Sequence, residues 1–146
     1  MRKISYIDHF EEWKNEFSFY TKIPIRFSET DMFGHVNNVS PFIYFEQARI
    51  EFLTEKGVFT EEAMQSTIPV VADLQCDYWE QLFFGDEVKI YVKAQSVGNS
   101  SIDIHYLGVN GEGKTCLTGR GRLVNIDISS GKAIPISEEV RSKLME

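Results

Sequence analysis

The sequence is short of the residues that staple, anchor or break a chain. It has two cysteines, Cys76 and Cys116, 40 positions apart, and neither belongs to a CxxC or His-paired spacing. No metal ligand set is therefore expected. Both lie in strand-like runs and are expected to be buried, reduced thiols, which suits the cytoplasm. No apolar run approaches membrane-spanning length, and the N-terminal twenty residues carry scattered charges in place of a signal-peptide core, so no membrane association is expected. No basic block exists either. With 15 Lys plus Arg against 22 Asp plus Glu, the net charge is −7, which favours solubility and excludes a nucleic-acid partner. No Gly-rich phosphate loop, repeat or linker appears. At 146 residues the chain is one domain, 1–146, able to bury a core unaided.

What is present is patterned. Tyr6, Phe10, Trp13 and Phe17 recur at spacings of 4, 3 and 4 among charged residues. That spacing predicts an amphipathic helix over 5–20, making residues 1–21 an N-terminal helical extension. Ile23 to Phe27 alternates as a first strand, with Pro24 at its edge. Ser40-Pro41 reads as an N-cap followed by an N1 proline, starting a helix over about 40–56 that stops at Gly57. This helix is apolar around most of its circumference, so it must be wrapped. Runs at 68–79, 87–97, 101–109 and 115–128 supply the wrapper. In the first of them Val70, Ala72, Leu74, Cys76 and Tyr78 share one face. Gly85-Asp86, Gly98-Asn99, Asn110-Gly111 and Ser129 to Lys132 are the turns between and after the runs. Four such strands predict an antiparallel meander and an α+β class. Ser137 is positioned to cap a short final helix.

The densest chemistry lies between Ser28 and Asn38, with two carboxylates, a histidine, two amides and a glycine in eleven residues. The segment precedes a helix N-terminus, where free N–H groups favour an anion or a polarised oxygen. A carboxylate there, with a carbonyl held by N–H groups, suits acyl transfer: Asp31 would attack the carbonyl or activate a water. The same residue types also serve as ordinary turn and cap formers. His9 and His105 have no partner spacing. Glu46 and Arg49 are spaced for a helix ion pair, and Lys93, Arg120 and Arg122 read as solvated strand charges.

The order of these residues adds to their composition. Asp31-Met32-Phe33-Gly34-His35-Val36-Asn37-Asn38, then Glu46-Gln47-Ala48-Arg49 on an aromatic helix, resembles the hotdog-fold acyl-CoA thioesterases, chiefly the 4-hydroxybenzoyl-CoA thioesterase type. Asp77-Tyr78, Gly85-Asp86 and Gly119-Arg120-Gly121 continue the resemblance, which spans roughly residues 22–135. It implies a sheet wrapped around the long helix, and hydrolysis of an acyl-CoA or acyl carrier protein thioester with no metal and no cofactor. It also implies a homodimer or homotetramer. By resemblance the catalytic carboxylate falls on Asp31 and the carbonyl-polarising backbone N–H on Asn38. His35 joins them, and Phe33, Gly34 and Asn37 contact substrate; read from the residues alone, His35 also fits a hydrogen-bonded loop organiser, and the Asn37 and Asn38 side chains fit groups that close the turn and cap the helix. The acyl group is expected in a pocket lined partly by Phe33 and the helix aromatics. Plant acyl-carrier-protein thioesterases share a similar run, but their catalytic asparagine would fall on Phe33, which cannot do amide chemistry.

Two other functions fit the same fold. A dehydratase of the large hotdog group would place its histidine five residues after the aspartate, where His35 is four after Asp31. An acyl-binding module would need no Asp31. Release of free thiol separates these from a hydrolase.

Overall fold

The computed structural model describes residues 2–146. Its elements are α1 (Phe10–Asn15), β1 (Phe19–Pro24), α2 (Ser40–Glu55), β2 (Thr67–Tyr78), β3 (Glu87–Val97), β4 (Ser101–Val109), β5 (Thr115–Asp127) and α3 (Glu138–Leu144). Single 3-10 turns lie at Phe27–Glu29 and Ala63–Gln65. The strands form one antiparallel sheet in the order β1-β3-β4-β5-β2.

The sheet holds α2 against one face. Ile102, Ile104 and Tyr106 of β4 and Val88, Ile90 and Val92 of β3 point to that side, against Tyr44, Phe45, Ala48, Phe52 and Leu53 of the helix. Phe45 stacks on Tyr106 with ring centroids 4.4 Å apart. That approach requires Gly119, where a Cβ would stand 2.5 Å from the Phe45 ring and 2.7 Å from the Gln75 carbonyl. Two strands and a helix face meet here at distances only glycine allows.

Strand alternation sends Asp103, His105 and Leu107 to the opposite face, and this face is covered too. Ile4, Ile7, Trp13 and Phe17 pack over Leu107, joined by Tyr6, Phe10, Trp79 and Tyr91. The N-terminal segment is therefore a strap across the outer side of the sheet.

Four expectations are corrected. The N-terminal helix spans Phe10–Asn15 and not 5–20, because Phe19 to Pro24 pairs with β3 from Phe19↔Val92 to Pro24↔Glu87. The first strand accordingly ends at Pro24, and Phe27 begins a 3-10 turn. Only β3, β4 and β5 form a meander. β2 crosses to the far edge and pairs with β5, from Thr67↔Asp127 to Tyr78↔Leu117. A bulge between Val71 and Asp73 breaks the predicted single face of β2. Leu74 and Cys76 pack on the core, while Val70 stays 43% exposed. The final helix is capped as expected, with the Ser137 hydroxyl accepting from the Val140 N–H at 3.2 Å.

Candidate active site

The loop between β1 and α2 is fixed at its base by a buried carboxylate. Glu29 accepts from the Arg26 N–H at 2.8 Å, the Arg26 guanidinium at 2.9 Å and the Tyr44 hydroxyl at 3.0 Å. Burial opposes the Glu29 charge, yet these three donors outweigh it and hold the carboxyl below its usual value. Burial and the Glu29 charge together push the Tyr44 phenol upward, so it stays a neutral donor. The Glu29 carbonyl in turn accepts the Asn37 N–H at 2.8 Å. Glu29 therefore ties the loop to α2 at one end and to the helix entrance at the other. The Arg26-x-x-Glu29 spacing was the available signal for it, and the sequence reading assigned it no role.

Above this base the chain makes a tight reversal closed by a bridge between Thr30 and Val36. The Asp31 N–H donates to the His35 carbonyl at 2.8 Å, and the Gly34 N–H returns to the Asp31 carbonyl at 3.0 Å. Gly34 sits at φ +82°, a left-handed conformation natural to glycine. The exposed Asp31 carboxylate has one oxygen, Oδ1, turned inward to accept from the Phe33 N–H at 2.9 Å and the His35 N–H at 3.3 Å. Those bonds fix the carboxylate while Oδ2 makes none within the chain, among the described residues. His35 joins the turn through its backbone. Its ring lies edge-on to Phe83 at 5.2 Å and stacks near Phe33 at 6.5 Å.

The helix entrance is built by Asn37. Its side-chain oxygen accepts from the Val39 N–H at 3.0 Å and the Ser40 N–H at 2.8 Å. Ser40, expected as the cap, is instead the first helical residue. Among the described residues the Asn38 N–H donates to nothing, while the Asn38 carbonyl accepts from the Tyr78 hydroxyl. An N–H without a partner at the start of a helix, seven residues after a fixed carboxylate, can receive a carbonyl oxygen.

A cavity of about 280 Å³ lies beside this entrance, lined by Val36, Pro41, Tyr78, Trp79, Leu82 and Leu117, with Glu80 and Gln81 adding polar groups. Of the expected pocket walls, Tyr44, Phe45 and Phe52 are core residues in this chain, and Phe33 is 73% exposed at the loop tip. Its ring stacks near His35, whose ring also meets Phe83.

The expected helix ion pair is present, with Arg49 3.9 Å from Glu46, and the buried Arg49 also bonds the Tyr106 hydroxyl at 3.1 Å. Two polar readings change. Lys93 is buried under the strap, paired with Glu16 and 5.0 Å from the Phe17 ring centroid. Arg120 bridges Asp103 and Asp73. Lys93 and Arg120 are therefore not free strand charges, because the strap removes them from bulk water or the neighbouring carboxylates engage them. Cys116 is buried and Cys76 half-buried; both are free, and burial pushes the two thiols up, to about 11 and about 12. Among the described residues no group of three or more His, Cys, Asp or Glu side chains could hold a metal ion, and no helix is long and apolar enough to cross a membrane.

A five-stranded antiparallel sheet around one buried helix, with a carboxylate loop at the helix entrance, defines an α+β hotdog protein of the thioesterase class. The sequence matches the Thioesterase-like superfamily over residues 25–144, and the chain belongs to that family. It is 47% identical over 146 residues to the uncharacterized protein YsmA of Bacillus subtilis (strain 168), covering 99% of this chain and 98% of that one. It is 26% identical to the long-chain acyl-CoA thioesterase FadM of Escherichia coli (strain K12), over 85% of this chain and 95% of FadM. The crystal structure of a thioesterase from Thermus thermophilus, complexed with coenzyme A and Zn, superposes with a TM-score of 0.72 at 30% identity, over 86% of this chain and 90% of that one. The strap residues before 25 lie outside the superfamily match.

Proposed function

We propose that the chain hydrolyses acyl-CoA thioesters. The observation that carries this is the pairing of a backbone-fixed Asp31 carboxylate with an unpartnered Asn38 N–H in one short loop. The thioester carbonyl oxygen accepts from the Asn38 N–H, which gains strength as that oxygen becomes an oxyanion. Asp31 takes a proton from water, the hydroxide oxygen bonds to the carbonyl carbon, and the tetrahedral intermediate collapses by breaking the C–S bond. The departing thiolate recovers the proton. Direct attack by Asp31 through an acyl anhydride, opened by water in a second step, is the other route for the same carboxylate. His35 and Phe33 border the carboxylate, Gly34 lets the backbone close around it, and Asn37 holds the helix entrance. FadM and the coenzyme A complex support acyl-CoA as the substrate class. No metal or cofactor takes part. Unpaired Cys76 and Cys116 suit a reducing cytoplasm.

The reading includes assembly. β2 is an edge strand with Ile68, Val70 and Val71 each 37–43% exposed, and such edges are normally paired or covered. We expect at least a dimer joined there. Light scattering at micromolar concentration should give about twice the chain's 16.8 kDa or more, and a monomer mass would refute it.

The functional test is thiol release from short, long and aromatic acyl-CoAs, before and after dialysis against a strong chelator. Release that survives chelation supports the reading. Binding without release across the panel would identify a carrier module, and a metal-reversible loss would end the metal-free mechanism.

A further inference from the structure

Tyr78 is the last residue of β2, and the two neighbours flanking it are gripped from the other side of the sheet. Arg2 bonds the Tyr78 carbonyl and reaches Asp77 at 3.4 Å. The Tyr6 hydroxyl donates to Asp77 at 2.8 Å and lies 3.1 Å from the Thr118 hydroxyl. Trp79 donates its ring N–H to Thr118 at 3.0 Å, packs against Phe10 at 5.3 Å and lies under the Arg2 guanidinium. Alternation along an extended chain then sends the Tyr78 side chain away from the strap. There its hydroxyl meets the Asn38 carbonyl. That carbonyl belongs to the residue whose free N–H stands at the helix entrance. Tyr78 also lines the cavity beside it.

We propose that Tyr78 is a positioning residue, which fixes the backbone of Asn38 through its hydroxyl, and that the N-terminal strap braces Tyr78 through Arg2, Tyr6 and Asp77. A backbone donor stabilises a developing oxyanion only when it is aimed in advance, since reorientation during reaction costs part of what the contact provides. Residue 38 lies outside the helical hydrogen-bond ladder; Asn37 holds the Val39 N–H end of the 38–39 peptide, and the Tyr78 hydroxyl holds its carbonyl end. The strap braces that second hold from a segment outside the superfamily match.

Tyr78→Phe removes only the hydroxyl. The kinetic arm rests on the thioester-hydrolysis reading; an NMR relaxation arm does not. With a turned-over acyl-CoA, kcat should fall about tenfold, as expected when the Asn38 N–H loses part of its aim at the oxyanion, while KM stays within about twofold. A kcat within about twofold of wild type overturns the proposal, as does a loss that disappears when the assay is run well below the melting temperature. In relaxation measurements on the full chain, the Asn38 amide order parameter should drop from about 0.85 to below about 0.7 in Tyr78→Phe, with the β4 amides unchanged. An unchanged value overturns the proposal even if no thioester is ever cleaved. Tyr6→Phe should lower kcat less than Tyr78→Phe, and the double variant should be no worse than Tyr78→Phe alone; independent, multiplicative losses would overturn the bracing.

Discussion

Asp31 and His105 lie on opposite sides of one sheet and are held in opposite ways. Asp31 is exposed, with one oxygen bonded to two backbone N–H groups and the other open to whatever approaches. His105 is 2% exposed, with both ring nitrogens spoken for. Trp13 donates to its Nδ1 at 2.8 Å, so Nε2 carries the hydrogen and donates to Asp103 at 3.2 Å. Burial, aided by the Lys93 and Arg120 charges and opposed by Asp103, pushes the His105 imidazole down to about 4. A disturbed ionisation points to function when the group sits in a cleft. Here it marks a closed structural network under a strap. The groups that can do chemistry are the ones left incomplete, namely a carboxylate oxygen and a backbone N–H.

The sharpest way to break this contrast is to remove one key group from each region in turn. Asp31→Asn keeps the shape of the loop and removes its basicity, and kcat should fall by roughly 10²–10⁴ with KM little changed. The melting temperature should hold, since an amide oxygen can accept the same Phe33 and His35 N–H groups. Steady-state kinetics with a parallel thermal melt decide it, and an active, equally stable Asp31→Asn chain would end the catalytic assignment. Trp13→Ala should do the reverse. It empties a site 5% exposed and orphans the His105 Nδ1 acceptor, so denaturant unfolding should show a loss of about 3–5 kcal/mol.

The pH dependence separates the two regions again. His105 binds its proton more weakly in the folded chain than in the unfolded one, so the unfolded state is favoured as protons become available. Stability is fully present above the unfolded value of about 6.5 and falls as pH drops from there toward about 4, by up to about 3 kcal/mol. Glu29 is shifted in the same direction but titrates in a lower range. Its contribution is present above its ordinary value of 4.5 and fades only below that. Melts at pH 7, 6 and 5 therefore read the outer face before the loop anchor titrates. His105→Gln should flatten that upper slope, and a variant with the wild-type slope would show that His105 does not set it.

These two regions were also unequally legible. The loop's build was legible because its contacts are local: Asp31, Gly34, His35 and Asn37 bond through turns within a few residues, and residue order encodes such turns. Strand bounds were legible from alternation and turn residues. Pairing order was not, because a period of two carries no information about which edge a strand joins, and β2 crosses to β5 through a connection that no local signal specifies. The strap was misread as one helix because Tyr6, Phe10, Trp13 and Phe17 repeat at helical spacing. Their burial comes from docking on Leu107, Tyr91 and Trp79, while Phe19 to Pro24 pairs with β3 in spite of that pattern. His105 alternates with apolar neighbours as a solvent-facing strand residue would, and only the docked strap makes it a buried one.

The smallest expected effect tests where Asn37 belongs in the comparison. Its side-chain oxygen caps α2 through Val39 and Ser40, which uses the acceptor that a substrate contact would need. Asn37→Ala leaves two N–H groups without that acceptor and should cost about 1 kcal/mol of stability. Asn37→Asp restores the acceptor and places a negative charge at the positive end of the helix, so its stability should match or exceed wild type. If Asn37 acts only through the cap, KM follows neither substitution. If it also touches the thioester, the added carboxylate should raise KM in Asn37→Asp while the melt stays high. Thermal melts and steady-state kinetics on both variants, compared with Asp31→Asn, then decide whether Asn37 belongs with the open groups that meet substrate or with the closed ones that hold the fold.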